Sequence, residues 1–197
     1  MNKPGSRHWN IEHRETLYDG FYRMDRVRFT HEMHGGRAGR PVERELFVRD
    51  DVVGVLPYDP ASDSVLLVEQ FRIGAMDQSP DPWLWEIVAG MIDTDEAPVD
   101  VARREAREEA GIELHRIELM TQYLASPGAT TEEVFVYLGE CDLSAAGGHH
   151  GLAEEDEDIL ARVVPAELAI GMLETRQVRN ALSIIALQWF EKWRSKR

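Results

Sequence analysis

Three glutamates, Glu105, Glu108 and Glu109, stand at spacing i, i+3 and i+4 in the run AGMIDTDEAPVDVARREAREEAGI, residues 89–112. On a helix that spacing gathers their side chains on one face. Glu105 and Glu109 are then like charges one turn apart, which costs roughly 0.2–0.5 kcal/mol in an isolated helix. Carboxylates gathered without a local Lys suit a hard cation, and Mg²⁺ is the usual choice where a phosphate is also present. The same residues fit a charge-rich surface helix with Arg104 and Glu108 paired at i, i+4, and helix composition alone favours that reading.

Local signals position these residues. Gly90 opens a loop where the apolar run 85–88 ends. Pro98 falls where a first helical position would be, which suits its fixed φ and missing N–H. Gly111 follows the last helical residue, as a left-handed cap requires. Val101, Ala102 and Ala106 form a narrow stripe for packing.

The fixed positions Gly90, Glu96, Arg104-Glu105-Ala106, Glu108-Glu109 and Gly111-Ile112 resemble the Nudix box from end to end. In that family the box is a loop–helix–loop that binds divalent cations and supports hydrolysis of a nucleoside diphosphate linked to another group. The resemblance implies that Glu105, Glu108 and Glu109 face metal, Glu108 also being counted with the catalytic residues. It implies that Ala89 offers its backbone carbonyl to a metal. Gly90, Glu96, Arg104 and Gly111 take structural roles, Glu96 and Arg104 as the ion pair holding loop to helix.

Pro127 lies sixteen residues after Gly111 in LASPGATTE. It reads as a turn proline, and it also resembles the marker of the family's ADP-ribose pyrophosphatase group. ETLYDGF, VLLVEQFR, PWLWEIVAGMI, GLAEEDEDI and ALQWF resemble bacterial members of that group over nearly the whole chain. The acidic run 154–158 falls where those enzymes carry a glutamate acting on the attacking water, and it also fits a solvated acidic loop. By family position Glu155 is the expected base and Glu157 a further metal ligand. Arg72, then Arg44, are expected on phosphate or ribose, Glu132 on a ribose hydroxyl and Met91 on the terminal ribose. Phe21 is expected to stack on adenine, although an aromatic there could equally be core.

The bulk numbers set bounds. With 197 residues the chain can bury a sizeable core. Its hydrophobic fraction of 43% is that of an ordinary globular protein, and its net charge of −14 argues against a nucleic-acid surface. The single cysteine, Cys141, excludes an intrachain disulfide and a cysteine-based zinc site, and it reads as a small core residue. No apolar leader and no stretch of membrane-spanning length is evident, so a cytoplasmic location is the default.

Strands are expected at 15–18, 22–29, 42–48, 51–58, 64–71, 83–88, 118–125, 133–141 and 159–164, with helices at 166–173 and 180–193. Residues 1–10 read as a loose leader and 144–151 as a loop whose adjacent His149 and His150 diverge. Glu69, Gln70 and Arg72 read as a polar strand edge. Leu182, Ile185, Trp189 and Trp193 share one face of the last helix. The fold class expected is α+β: an α/β/α Nudix sandwich with a mixed sheet, preceded by a small antiparallel β unit. Residues 1–49 form that unit, expected to be exchanged in a homodimer, and 50–197 the hydrolase domain. The function implied by the resemblance is Mg²⁺-dependent hydrolysis of ADP-ribose to AMP and ribose 5-phosphate, with Mn²⁺ a possible substitute. The alternatives are action on another nucleoside diphosphate sugar such as GDP-mannose, or a non-catalytic nucleotide sensor.

Overall fold

A computed structural model describes residues 7–78, 80–93, 95–151 and 157–196. The chain divides into two compact units, one of residues up to Asp50 with Leu124–Glu133, the other of Asp51–Tyr123 with Val134–Arg197.

The first unit is an antiparallel sheet of β1 (Trp9–Asp19), β2 (Arg23–His31) and β3 (Val42–Val48), in that order. β1 starts at Trp9, and the His8 carbonyl accepts from Glu32 N–H at 2.8 Å, so the expected leader is already part of the sheet there. Every residue of β1 is exposed, which removes the in–out alternation that marks a strand in sequence. Residues 124–133 belong to this unit by pairing: Phe47 N–H donates to Ala129 O and Thr131 N–H to Phe47 O.

The second unit contains β4 (Val52–Asp59), β5 (Ser64–Phe71), β6 (Trp83–Glu86), β7 (Val88–Met91), α1 (Pro98–Ala110), β8 (Arg116–Leu124), β9 (Glu133–Glu140), β10 (Gly148–His150), β11 (Ile159–Pro165), α2 (Ala166–Glu174) and α3 (Ala181–Arg194). Its sheet runs β10-β11-β5-β4-β9-β8, with β6 added to β5 and β7 to β4. β4 pairs parallel with β9 and antiparallel with its other neighbours, so the sheet is mixed. Buried at nearly every position, β4 reads as a near-continuous apolar run, as a central strand should.

Two cores lie on the two faces of this sheet. Leu66 and Val68 of β5 join Val101, Ala102, Ala106 and Ala110 of α1 in one. Val65 and Leu67 join residues of α2 and α3, among them Ala169, Leu187 and Phe190, in the other. The alternation along β5 thus assigns even positions to the α1 face and odd positions to the α2–α3 face.

Five expectations need correction. The strand at 83–88 is two strands that change partner at Ile87, and Gly90 lies inside β7 rather than opening a loop. The loop at 144–151 carries β10, which pairs with β11. The fully buried face of α3 is Ser183, Ala186, Leu187 and Phe190, while Leu182, Trp189 and Trp193 flank it. Gln70 is no polar edge: it is 7% exposed. Among the described residues no helix is long and apolar enough to cross a membrane.

Candidate active site

β7 and α1 build the floor of the site. Ala89 and Gly90 of β7 pair with Gly54 and Val53 of the buried β4, which fixes their backbone. α1 begins with Pro98 as its first residue and ends on Gly111, whose φ of 64° is the left-handed cap. Ile112 N–H returns to Ala106 O and Gly111 N–H to Arg107 O, which satisfies carbonyls at the helix end. Val101, Ala102, Ala106 and Ala110 are at most 1% exposed, and their small size brings the helix close to the sheet.

That close approach buries two acids as well. Glu105 is 9% exposed and Glu109 is 4% exposed. Gly90 is what makes room: a Cβ there would overlap the Glu105 carboxylate and lie 2.6 Å from its Cγ. Arg104 gathers three acids, donating to Glu96 at 3.2 Å, Glu105 at 2.8 Å and Glu108 at 3.0 Å. The expected Glu96–Arg104 pair is therefore present, and Arg104 also serves two of the three expected metal-facing glutamates. Burial pushes the Glu105 carboxyl up to about 7, against the pull of Arg104.

Glu109 has less support. Ala89 N–H donates to its Oε2 at 3.1 Å. Burial pushes its carboxyl up to about 8, with Glu105 and Glu157 adding like charge and Arg72 opposing.

Arg72 follows β5 with extended backbone, φ −127° and ψ 112°. Its Nε and Nη2 donate to one oxygen of Glu86, at 3.0 and 2.7 Å. Glu86 is 2% exposed, and its other oxygen accepts from Asn180 Nδ2 at 2.9 Å. Asn180 also caps α3 through Ser183 N–H at 2.8 Å. Sequence reasoning missed both Glu86, the partner of Arg72, and Asn180, the partner of Glu86. An acid inside the apolar run WLWEIV and an Asn just before ALSIIALQWF were the available signals. Glu157 is exposed, yet its charge acts on Arg72, Glu105 and Glu109. The second unit thus brings together Arg72, Glu105, Glu109 and Glu157, with half-buried Met91 at the end of β7.

Phe21, Arg44 and Glu132 belong to the first unit. Phe21 is 81% exposed and meets Tyr22 edge-on. Arg44 is exposed on β3 and donates to Glu43 O at 2.7 Å. Glu132 pairs with Arg49 at 2.7 Å, and Arg49 lies over the Tyr22 ring. Pro127 sits in a turn where Ala129 N–H donates to Ser126 O at 2.9 Å. Glu155 lies outside the described residues.

Cys141 is a core thiol: it is 4% exposed, and burial pushes it up to about 12. His150 packs against the Gly111 cap and its Nε2 is 3.3 Å from Gly147 O, so the two histidines serve β10 and its surroundings.

The donor set suits a hard cation. Two buried carboxylates with raised pKa values and an exposed third share one neighbourhood, and a divalent ion would supply the countercharge that Glu109 lacks. Among the described residues no three acid, imidazole or thiol groups converge into a complete metal shell, because Glu105 and Glu108 are turned onto Arg104. Beside them, Arg72 offers a fork-shaped cation matched to phosphate geometry.

The model of the NUDIX domain matches residues 48–187. The ADP-ribose pyrophosphatase of Escherichia coli K12 is 48% identical over 178 residues, covering 90% of this chain and 85% of that protein. The GDP-mannose pyrophosphatase of Enterobacter sp. strain 638 is 30% identical over 177 residues, covering 89% and 91%. A crystal structure described as an ADP compounds hydrolase superposes with a TM-score of 0.73 at 16% identity, covering 98% of both chains, which is a likeness of fold.

Proposed function

Since the chain belongs to the Nudix hydrolase family, we propose that it hydrolyses the pyrophosphate of ADP-ribose, releasing AMP and ribose 5-phosphate. The observation that carries this reading is the buried pair Glu105 and Glu109 beside Arg72, in a chain 48% identical to an ADP-ribose pyrophosphatase.

Glu105, Glu109, Glu157 and the Ala89 carbonyl would hold a divalent cation, which we take to be Mg²⁺ or, in its place, Mn²⁺. When bound, such an ion neutralises phosphoryl charge and lowers the pKa of a bound water. The residues of the chain do the rest. Glu108 is placed beside them by Arg104. Arg72, fixed by Glu86, presents its guanidinium to the pyrophosphate. Glu155 takes the proton from the attacking water. The water oxygen bonds to one phosphorus, the bridging P–O bond breaks, and the departing phosphate carries the released electron pair.

Arg44, Glu132 and Met91 are proposed contacts for the ribose and phosphate groups, and Phe21 for the adenine face. We further propose a homodimer in the cytoplasm, with residues 1–49 as the exchanged part. Trp9, Tyr18 and Phe21 are 72, 65 and 81% exposed in the single chain, as residues awaiting a partner would be. A net charge of −14 leaves no basic footprint for nucleic acid.

The test is a hydrolysis panel of ADP-ribose, GDP-mannose and NADH with Mg²⁺ or EDTA, with products identified. AMP and ribose 5-phosphate should form from ADP-ribose well ahead of the other reactions and only with the cation. Faster release of GMP from GDP-mannose would replace the substrate. Tight binding without turnover would support a sensor instead.

A further inference from the structure

Gln70 is buried to more than nine-tenths, and among the described residues its amide Nε2 has no hydrogen-bond partner. An unpaired buried amide costs roughly 1–3 kcal/mol, so its retention needs a reason. The sheet shows where it points. Gln70 continues the even positions of β5, whose Leu66 and Val68 pack in the α1 core. Its cross-strand partners are Ile159 of β11 and Leu84 of β6, both apolar, and Ile159 lies in that same core. Arg72 follows two residues later on extended backbone. The amide thus stands in a row with Arg72, on the sheet face that α1 covers with Glu105 and Glu109. Hydrocarbon flanks it on both neighbouring strands.

We propose that Gln70 is a further substrate-binding residue whose amide N–H donates to a phosphoryl oxygen of the bound pyrophosphate. The inference rests on the pyrophosphatase reading above and adds a neutral donor beside the charged Arg72. A neutral amide can hold an anionic oxygen next to three carboxylates without adding to their countercharge, and the ligand ends its unpaired state.

The experiment compares wild type with Gln70→Leu and Gln70→Met, which keep the volume and remove the amide. Three quantities are read: Tm, kcat and KM for ADP-ribose, and calorimetric affinity for inorganic pyrophosphate. The expected result is a Tm equal to or above wild type, because an unpaired polar group is removed. Pyrophosphate affinity and kcat/KM should both fall about tenfold or more. Wild-type affinity and kcat/KM in either folded variant would overturn the proposal. So would a lowered Tm with kcat/KM intact, which would assign Gln70 to the core. If wild type fails to hydrolyse ADP-ribose, the substrate reading fails, and the pyrophosphate titration still decides the role of Gln70.

Discussion

Asp25 and Glu109 are both buried carboxylates, 1% and 4% exposed, and they belong to the two different units of the chain. Burial opposes the charge of each. At Asp25 it is outweighed by bonds from Arg14 and Thr16 and by the charges of Arg14 and Arg23, which hold the carboxyl below the usual range. At Glu109 one backbone N–H and the field of Arg72 do not suffice, and the carboxyl is pushed up to about 8. The chain supplies its structural acid with arginines. It leaves its box acid short of positive charge, where a ligand can provide it.

Exchanging each acid for its amide breaks the comparison most directly. Glu109→Gln should lose turnover by on the order of 10²–10³-fold, as when a group that stabilises transition-state charge is removed. Above about pH 8 its Tm without cation should equal or exceed wild type, since an undercompensated buried charge disappears. Asp25→Asn should do the reverse, with a lowered Tm and kcat unchanged. Steady-state kinetics and calorimetry on both variants check this, and a Glu109→Gln enzyme of normal kcat would remove Glu109 from the chemistry.

Gly90→Ala tests the packing that buries the acids. The added methyl group would collide with the Glu105 carboxylate and displace it. A misplaced ligand of this kind should cost on the order of tenfold to a hundredfold in kcat. A crystal structure of the variant should show Glu105 moved, and unchanged kinetics would show that its position is not critical.

The smallest effect is a difference in pH dependence. Folded values of about 7 for Glu105 and about 8 for Glu109 lie above the ordinary 4.5. Between about 4.5 and 8 the cation-free folded protein therefore holds more protons than the unfolded chain, and these two groups lower its stability as pH rises. Asp25 acts oppositely: its contribution is present above the ordinary 3.8 and is lost as pH falls through its lower folded value. The gain in Tm from added Mg²⁺ should consequently be larger near pH 8 than near pH 5. Equal gains would place the cation away from these carboxylates.

Much of the site was legible because its signals are local. Pro98, Gly111 and the Val101–Ala102–Ala106 stripe specify α1 without reference to any other part of the chain, and the glutamate spacing follows from the helix. What was hidden depends on distant partners. The change of strand partner at Ile87 is decided by β4 and β5 competing for one apolar run, which the run itself does not record. β1 escaped in part because a fully exposed strand has no alternation to read. The Arg72–Glu86–Asn180 chain joins residues far apart in sequence, 94 positions separating Glu86 from Asn180. Gln70 looked like a polar edge because nothing in VEQFR tells that β6 and β11 enclose it.

The most direct measurement is an electron paramagnetic resonance titration of Mn²⁺ into wild type, Asp25→Asn and Glu109→Gln, with no substrate present. The expected result is equal affinity in wild type and Asp25→Asn and a loss of about tenfold or more in Glu109→Gln. Undiminished Mn²⁺ binding by folded Glu109→Gln would contradict the claim that the acid left short of charge is the one that holds the cation.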